Sequence, residues 1–156
     1  MLSSFPKNEI VKLYLQSAST LTGGNDSLIL SFIFTRQAYL TNPNDSKVLE
    51  KFTEILFGLG DYHNAFKCSE KWFSLTPQES DLVRGNMFFI KGVSAQFLKK
   101  FDVASENLRK AMNTFMQSSN QEKFEEAKRI YEIELPKAKE NPYVNLYHFK
   151  AKSNDL

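Results

Sequence analysis

Pro43 and Pro77 stand 34 residues apart, and each opens an apolar periodic run directly after another such run has ended. A proline costs nothing at the first position of a helix, where its missing N–H would be unbonded anyway, and costs a great deal in a helix interior. Two such starts at one spacing therefore point to a repeated helical unit.

The runs themselves are helical in period. In "SKVLEKFTEILFGLG" the residues Val48, Leu49, Phe52, Ile55, Leu56 and Leu59 recur at spacings of three and four, which places them on one face of a helix. No stretch alternates over a strand's length, so no sheet is expected. "TPQE" offers Thr76 as an N-cap, with Pro77 next and Glu79 reaching back; "NPND" offers Asn42, Pro43 and Asp45; "SNQE" offers Ser119 and Glu122. Breaks fall at "TGGND" (22–26), "GLGD" (58–61), "KKFD" (99–102) and Pro136. Together these signals predict helices over 7–21, 26–41, 44–58, 61–75, 77–98, 101–117 and 120–139, with a short one near 143–151.

With 156 residues, 42% of them hydrophobic, the chain can bury one sizeable core. A single domain over 1–156 is expected, with units at 12–45, 46–79 and, after five extra residues, 85–118. A capping helix at 120–139 and a tail at 141–156 complete it.

In "GDYHNAFKCSEKWFSLTP", Gly60 and Asp61 form a turn, Tyr62 and Ala65 follow at helical spacing, and Pro77 ends the run. The stretch resembles the second half of a tetratricopeptide repeat (TPR), whose period is also 34. "KFDVASENLRKAMNTF" repeats the pattern with Phe101, Ala104, Leu108 and Ala111. The chain departs from the family's W-x2-L-G-x2-Y and A-x3-F signature, carrying Leu49, Phe52, Thr53 and Leu56, then Ala65 and Ser69, in the second unit.

The resemblance implies an all-α, TPR-like right-handed superhelix of antiparallel helix pairs. It also implies small residues where the two helices of a pair cross. The positions concerned carry Ser19 and Ser31, Thr53 and Ala65, and Gly92 and Ala104, six small residues. Seven residues beyond the second member of each pair come Ala38, Trp72 and Ala111, of which the tryptophan breaks the pattern.

Chemistry is nearly silent. His63 and His148 have no Cys, Asp or Glu at a metal-ligand spacing, and no phosphate-binding glycine loop or nucleophile elbow occurs. Cys68 falls mid-helix, where packing rather than thiolate chemistry is expected. We expect no enzyme activity, catalytic residue, cofactor or metal. The single cysteine, the lack of a secretory leader and the lack of a long uncharged apolar run lead us to expect a soluble, cytoplasmic protein with no membrane span.

Binding is the function class that remains. The resemblance implies a concave groove lined by the first helix of each unit, here Gln16 and Thr20, then Lys47, Glu50, Lys51 and Glu54, then Asn86, Phe89, Ile90 and Val93. The expected partner is another protein, offered as a peptide or an amphipathic helix with hydrophobic anchors, and a homodimer stays open. The Lys and Asn clamp by which related repeats hold the carboxylate of chaperone tails is absent, since its places carry Gln16, Thr20, Lys51, Asn86 and Ile90.

Two alternatives remain at this point. One is a class II chaperone of type III secretion, which the chain resembles in size and repeat number. The other is an RNA-binding accessory protein using "NPYVNLYHFKAK" (141–152), whose aromatics could stack on bases. Against nucleic acid, 20 Lys and Arg are set against 18 Asp and Glu, interspersed rather than gathered.

Overall fold

The computed structural model describes residues 6–19, 24–75 and 81–140. The helix expected near 143–151 and the "TPQE" cap lie outside them. The described helices are α1 (Lys7–Ser19), α2 (Gly24–Thr41), α3 (Ser46–Gly58), α4 (Tyr62–Leu75), α5 (Asp81–Phe97), α6 (Phe101–Gln117) and α7 (Gln121–Arg129); a π turn at Ile130–Glu134 then leads into α8 (Leu135–Glu140). No strand occurs among the described residues.

The helices pack as consecutive pairs, α1 on α2, α3 on α4 and α5 on α6, and each pair stacks on the next through α2 and α3, α4 and α5, and α6 and α7. Among the described residues this is an all-α solenoid of stacked helix pairs.

Three of the connections are built alike. At Gly60, Lys99 and Ser119 the backbone takes φ of 79°, 61° and 56°. The N–H groups of Asp61, Lys100 and Asn120 then return to the carbonyls of Leu56, Ala95 and Phe115 at 2.9, 2.8 and 2.9 Å. Each is a Schellman C-cap, in which a left-handed residue lets the chain turn back and satisfy the last carbonyls. Only Gly60 takes that conformation without a Cβ penalty. Lys99→Gly and Ser119→Gly are therefore each expected to gain roughly 0.5–1 kcal/mol, net of the extra freedom glycine gives the unfolded chain. Chemical denaturation would register the gain as a higher midpoint with unchanged slope.

Two expected caps are corrected. Asp45, not Asn42, starts α3, its carboxylate accepting the N–H groups of Lys47 and Val48 at 2.9 and 3.1 Å. Asn42 instead accepts the N–H of Asn44 at 3.4 Å and shapes the turn containing Pro43. Asn120, not Ser119, caps α7 by accepting the N–H of Lys123, because Ser119 is already committed as the left-handed residue that ends α6.

Helix α2 begins at Gly24, inside the stretch expected to be a break. Nor does Pro136 end the last helix. The preceding turn widens so that Leu135 donates to Ile130, five residues back, and the chain passes the proline inside a helix that runs to Glu140. A π turn relaxes the backbone register where a proline removes one bond and crowds the carbonyl four residues before it.

The crossings are close. Thr53, Ala65 and Ala104 are wholly buried, and Ser31 donates to the carbonyl of Ala18 across the first pair at 3.2 Å. A Cβ placed on Gly92 would lie 2.9 Å from Cγ of Leu108 and 3.1 Å from its backbone nitrogen. The side chain of Ser19 falls outside the described residues. Trp72, the one large side chain where alanine was expected, is also wholly buried, packed with Leu49, Ala65 and Met87.

Candidate functional site

The heptad-like spacing of α3 gives it two working faces. Phe52 and Leu56 point into the core, while Lys47, Glu50 and Glu54 lie on the opposite side of the same helix. Helix α3 also meets α5 directly, with Phe57 against Phe89.

Three helices bring residues to the charged side of α3. From α3 come Lys47 and Glu54, both exposed, and Glu50 and Lys51, both half-buried. Lys47 and Glu50 form an ion pair at 3.9 Å. From α5 come Asn86 and Phe89, both half-buried; Phe89 meets the ring of Phe57 edge-on at 6.2 Å. From α7 comes Lys123, whose ammonium donates to Oδ1 of Asn86 at 2.5 Å.

Electrostatics tie the three helices together. The Glu54 carboxyl is held above the usual carboxylate range, first by burial of the carboxyl and then by the Glu50 carboxylate, while Lys51 and Lys123 pull the other way. The influence of Lys123 means that α7 comes within electrostatic reach of α3 across α5. Because Glu54 as a residue is exposed, water screens the effect and its consequence for stability is small.

The sign of that consequence is definite. A carboxyl whose folded pKa is raised binds its proton more tightly in the folded state, so stability falls as pH rises from the ordinary Glu value through the raised one. Glu54→Gln is accordingly expected to be more stable than the parent chain at about pH 7 and to approach it at about pH 3, well below the ordinary Glu value, where the carboxyl is neutral in both the folded and the unfolded chain. Thermal unfolding at the two pH values checks this.

Two of the residues expected to line the groove are buried instead. Ile90 and Val93 are each 5% exposed and belong to the core, Ile90 with Trp72 and Met87, Val93 with Ala104 and Leu108. They are unavailable to a partner because α5 is flanked by α3, α4 and α6 and packs these two side chains among them. Gln16 is exposed on α1, and Thr20 lies outside the described residues.

Lys123 was missed. Extending the repeat frame one period past the third unit would have put it where Phe89 stands in that unit, so the signal was present in the spacing.

Elsewhere chemistry is sparse. Cys68 is buried, and that burial pushes its thiol pKa up, which suits packing. His63 is exposed; His148 and the rest of the 141–152 stretch lie outside the described residues. Among the described residues no group of His, Cys, Asp and Glu could hold a metal ion, and no helix is long and apolar enough to cross a membrane.

Neither a known family's sequence pattern nor any curated protein matches the chain. Among solved structures it is similar to that described as "Crystal structure of MamA protein", with a TM-score of 0.57 and 14% identity, over 95% of this chain and 86% of that one. At that identity the likeness is one of fold, and it agrees with the pairing of helices above: the chain has a TPR-like helical-repeat architecture.

Proposed function

We propose that this protein is a non-enzymatic interaction module, an adaptor or assembly subunit that holds a peptide or helix of a partner protein against its inner face. The contacts come from Lys47, Glu50, Lys51 and Glu54 of α3, Asn86 and Phe89 of α5, and Lys123 of α7. One observation carries the reading: α3, α5 and α7 bring together polar side chains that are exposed or half-buried, and the bond between Lys123 and Asn86 links the last two helices. Part-buried groups of both charges around an aromatic edge suit a partner that brings its own polar contacts and a small apolar anchor.

The mixture of signs predicts selectivity rather than generic attraction. Lys47, Lys51 and Lys123 favour acids on the partner, whereas Glu50 and Glu54 reject them nearby, so register is enforced by repulsion as well as attraction. The test is affinity purification with the full chain and with Lys51→Glu combined with Glu54→Lys, both sites being solvent-accessible and outside the core. Loss of the captured partner with unchanged thermal unfolding is the expected result. Equal capture by both forms would place the binding surface elsewhere. Phe89→Ala alone is a poorer probe, because Phe89 also packs on Phe57.

A further inference from the structure

The opposite side of α3 floors a second groove. It opens between α2 and α4, with Phe52, Leu56 and Cys68 at its base, and its volume is about 410 Å³. That is within the range of ligand-sized sites, about 300–1,000 Å³.

The two walls differ in character. On α2, Ile29, Ile33, Arg36 and Leu40 share one stripe at spacings of four, three and four. The three apolar members are 50%, 47% and 56% exposed, so they form an apolar strip that no other described element covers. Leu40 lines the groove itself, and Ile33 and Ile29 carry the same stripe of α2 on past it, about three turns or roughly 16 Å in all. On α4, Lys67 and Lys71 line the facing wall.

Three cations therefore rim an apolar floor: Arg36, Lys67 and Lys71. None of them forms an ion pair with a described residue. Lys71 is held toward α2 by the ring of Tyr39, 5.4 Å from its centroid. The groove's one carboxylate, Asp61, is turned toward the start of α4, accepting the backbone N–H of Asn64 at 3.2 Å and its side-chain amide at 2.8 Å. A net positive rim around an elongated apolar strip is the complement of an amphipathic helix that is acidic on its polar face.

We infer that the α2/α4 groove is a second docking site, separate from the inner face, for an acidic amphipathic helix of a partner protein. Its apolar face lies along Ile29, Ile33 and Leu40, and its carboxylates meet Arg36, Lys67 and Lys71. Nucleic acid fits less well: three cations neutralise few phosphates, and aliphatic side chains dominate the strip where bases would need aromatic platforms.

The probe is a fluorescein-labelled synthetic helix of about four turns, with leucine on one face and glutamate on the other, measured by anisotropy against the full chain. Two control peptides replace its glutamates with glutamine or its leucines with serine. Binding of the acidic amphipathic peptide is expected, with an affinity loss of about tenfold or more for either control peptide, for Lys67→Glu with Lys71→Glu, and for Leu40→Glu. Lys51→Glu on the inner face is expected to leave binding unchanged, which separates this site from the function proposed above. These side chains lie outside the core, so unfolding temperatures should match the parent chain and confirm that the variants are folded.

Equal affinity for the glutamine peptide, or indifference to the groove variants, overturns the inference. So does a single-stranded oligonucleotide that binds this groove more tightly than the peptide. It falls equally if sedimentation shows the chain self-associating and Lys67→Glu with Lys71→Glu dissolving the oligomer, since a second copy would then be the occupant.

Discussion

Gly92→Leu is expected to abolish cooperative thermal unfolding, although helix propensity alone argues for the reverse. Leucine is a better helix former than glycine by somewhat under about 1 kcal/mol, and position 92 is in the interior of α5. The crossing outweighs that gain. A Cβ there would approach Leu108 to 2.9 Å at Cγ and 3.1 Å at the backbone nitrogen, and only the first of these can move by changing a rotamer. A whole leucine side chain would have to drive α6 away from α5, and α6 also carries α7, so the damage spreads along the stack. Ala104→Trp attacks the same junction from the other helix, and Ala65→Trp attacks the corresponding one in the second unit, both starting from wholly buried alanines. Circular dichroism melts would decide. A Gly92→Leu protein that unfolds at or above the temperature of the parent would mean that the pair does not close as described.

The second large effect is at Phe115, which is 1% exposed near the end of α6 and fills the space left by Gly85 on α5. Phe115→Ala is expected to cost about 3–5 kcal/mol, the usual range for emptying a buried aromatic site. A Cβ on Gly85 would lie 2.6 Å from Cε1 and 2.8 Å from Cδ1 of that ring. Gly85→Ala should therefore destabilise the parent chain by about 1–3 kcal/mol. In a Phe115→Leu background the ring edge is gone and the same change should be neutral or favourable, because alanine is the better helix former. The two changes are thus expected to be non-additive by more than about 1 kcal/mol in a double-mutant cycle. Additive effects would show that the glycine and the ring are not partners.

The helix pattern was legible because its signals are local. Apolar spacing in α3, the Gly60 turn and the small residues at 31, 53, 65, 92 and 104 all act between neighbours a few residues apart or within one helix pair. Where two local signals compete for one residue, the sequence misleads. Ser119 suits an N-cap by type, yet the carbonyls of Phe115 and Met116 draw the N–H groups of Asn120 and Ser119 back to close α6, and the cap moves to Asn120. Pro136 suits a break, yet the wider turn before it keeps the helix going.

The candidate surface was legible in part for the same reason. The face of α3 carrying Lys47, Glu50 and Glu54 follows from its own periodicity, because its opposite face supplies Phe52 and Leu56 to the core. The same rule fails on α5, which has neighbours on three sides. There Ile90 and Val93 are covered, while Asn86 stays half-open and finds Lys123 from a helix 37 residues on.

The sequence by itself determined most of the helices and the buried small residues at 31, 53, 65, 92 and 104, since these depend on the backbone's own 3.6-residue turn and on contacts inside one pair. Tertiary structure decided which helix faces remain uncovered: the polar row shared by α3, α5 and α7, and the basic-rimmed groove between α2 and α4. Exposure depends on how many neighbours stack against a helix and at what distance, and those neighbours come from tens of residues away, beyond the reach of any local pattern.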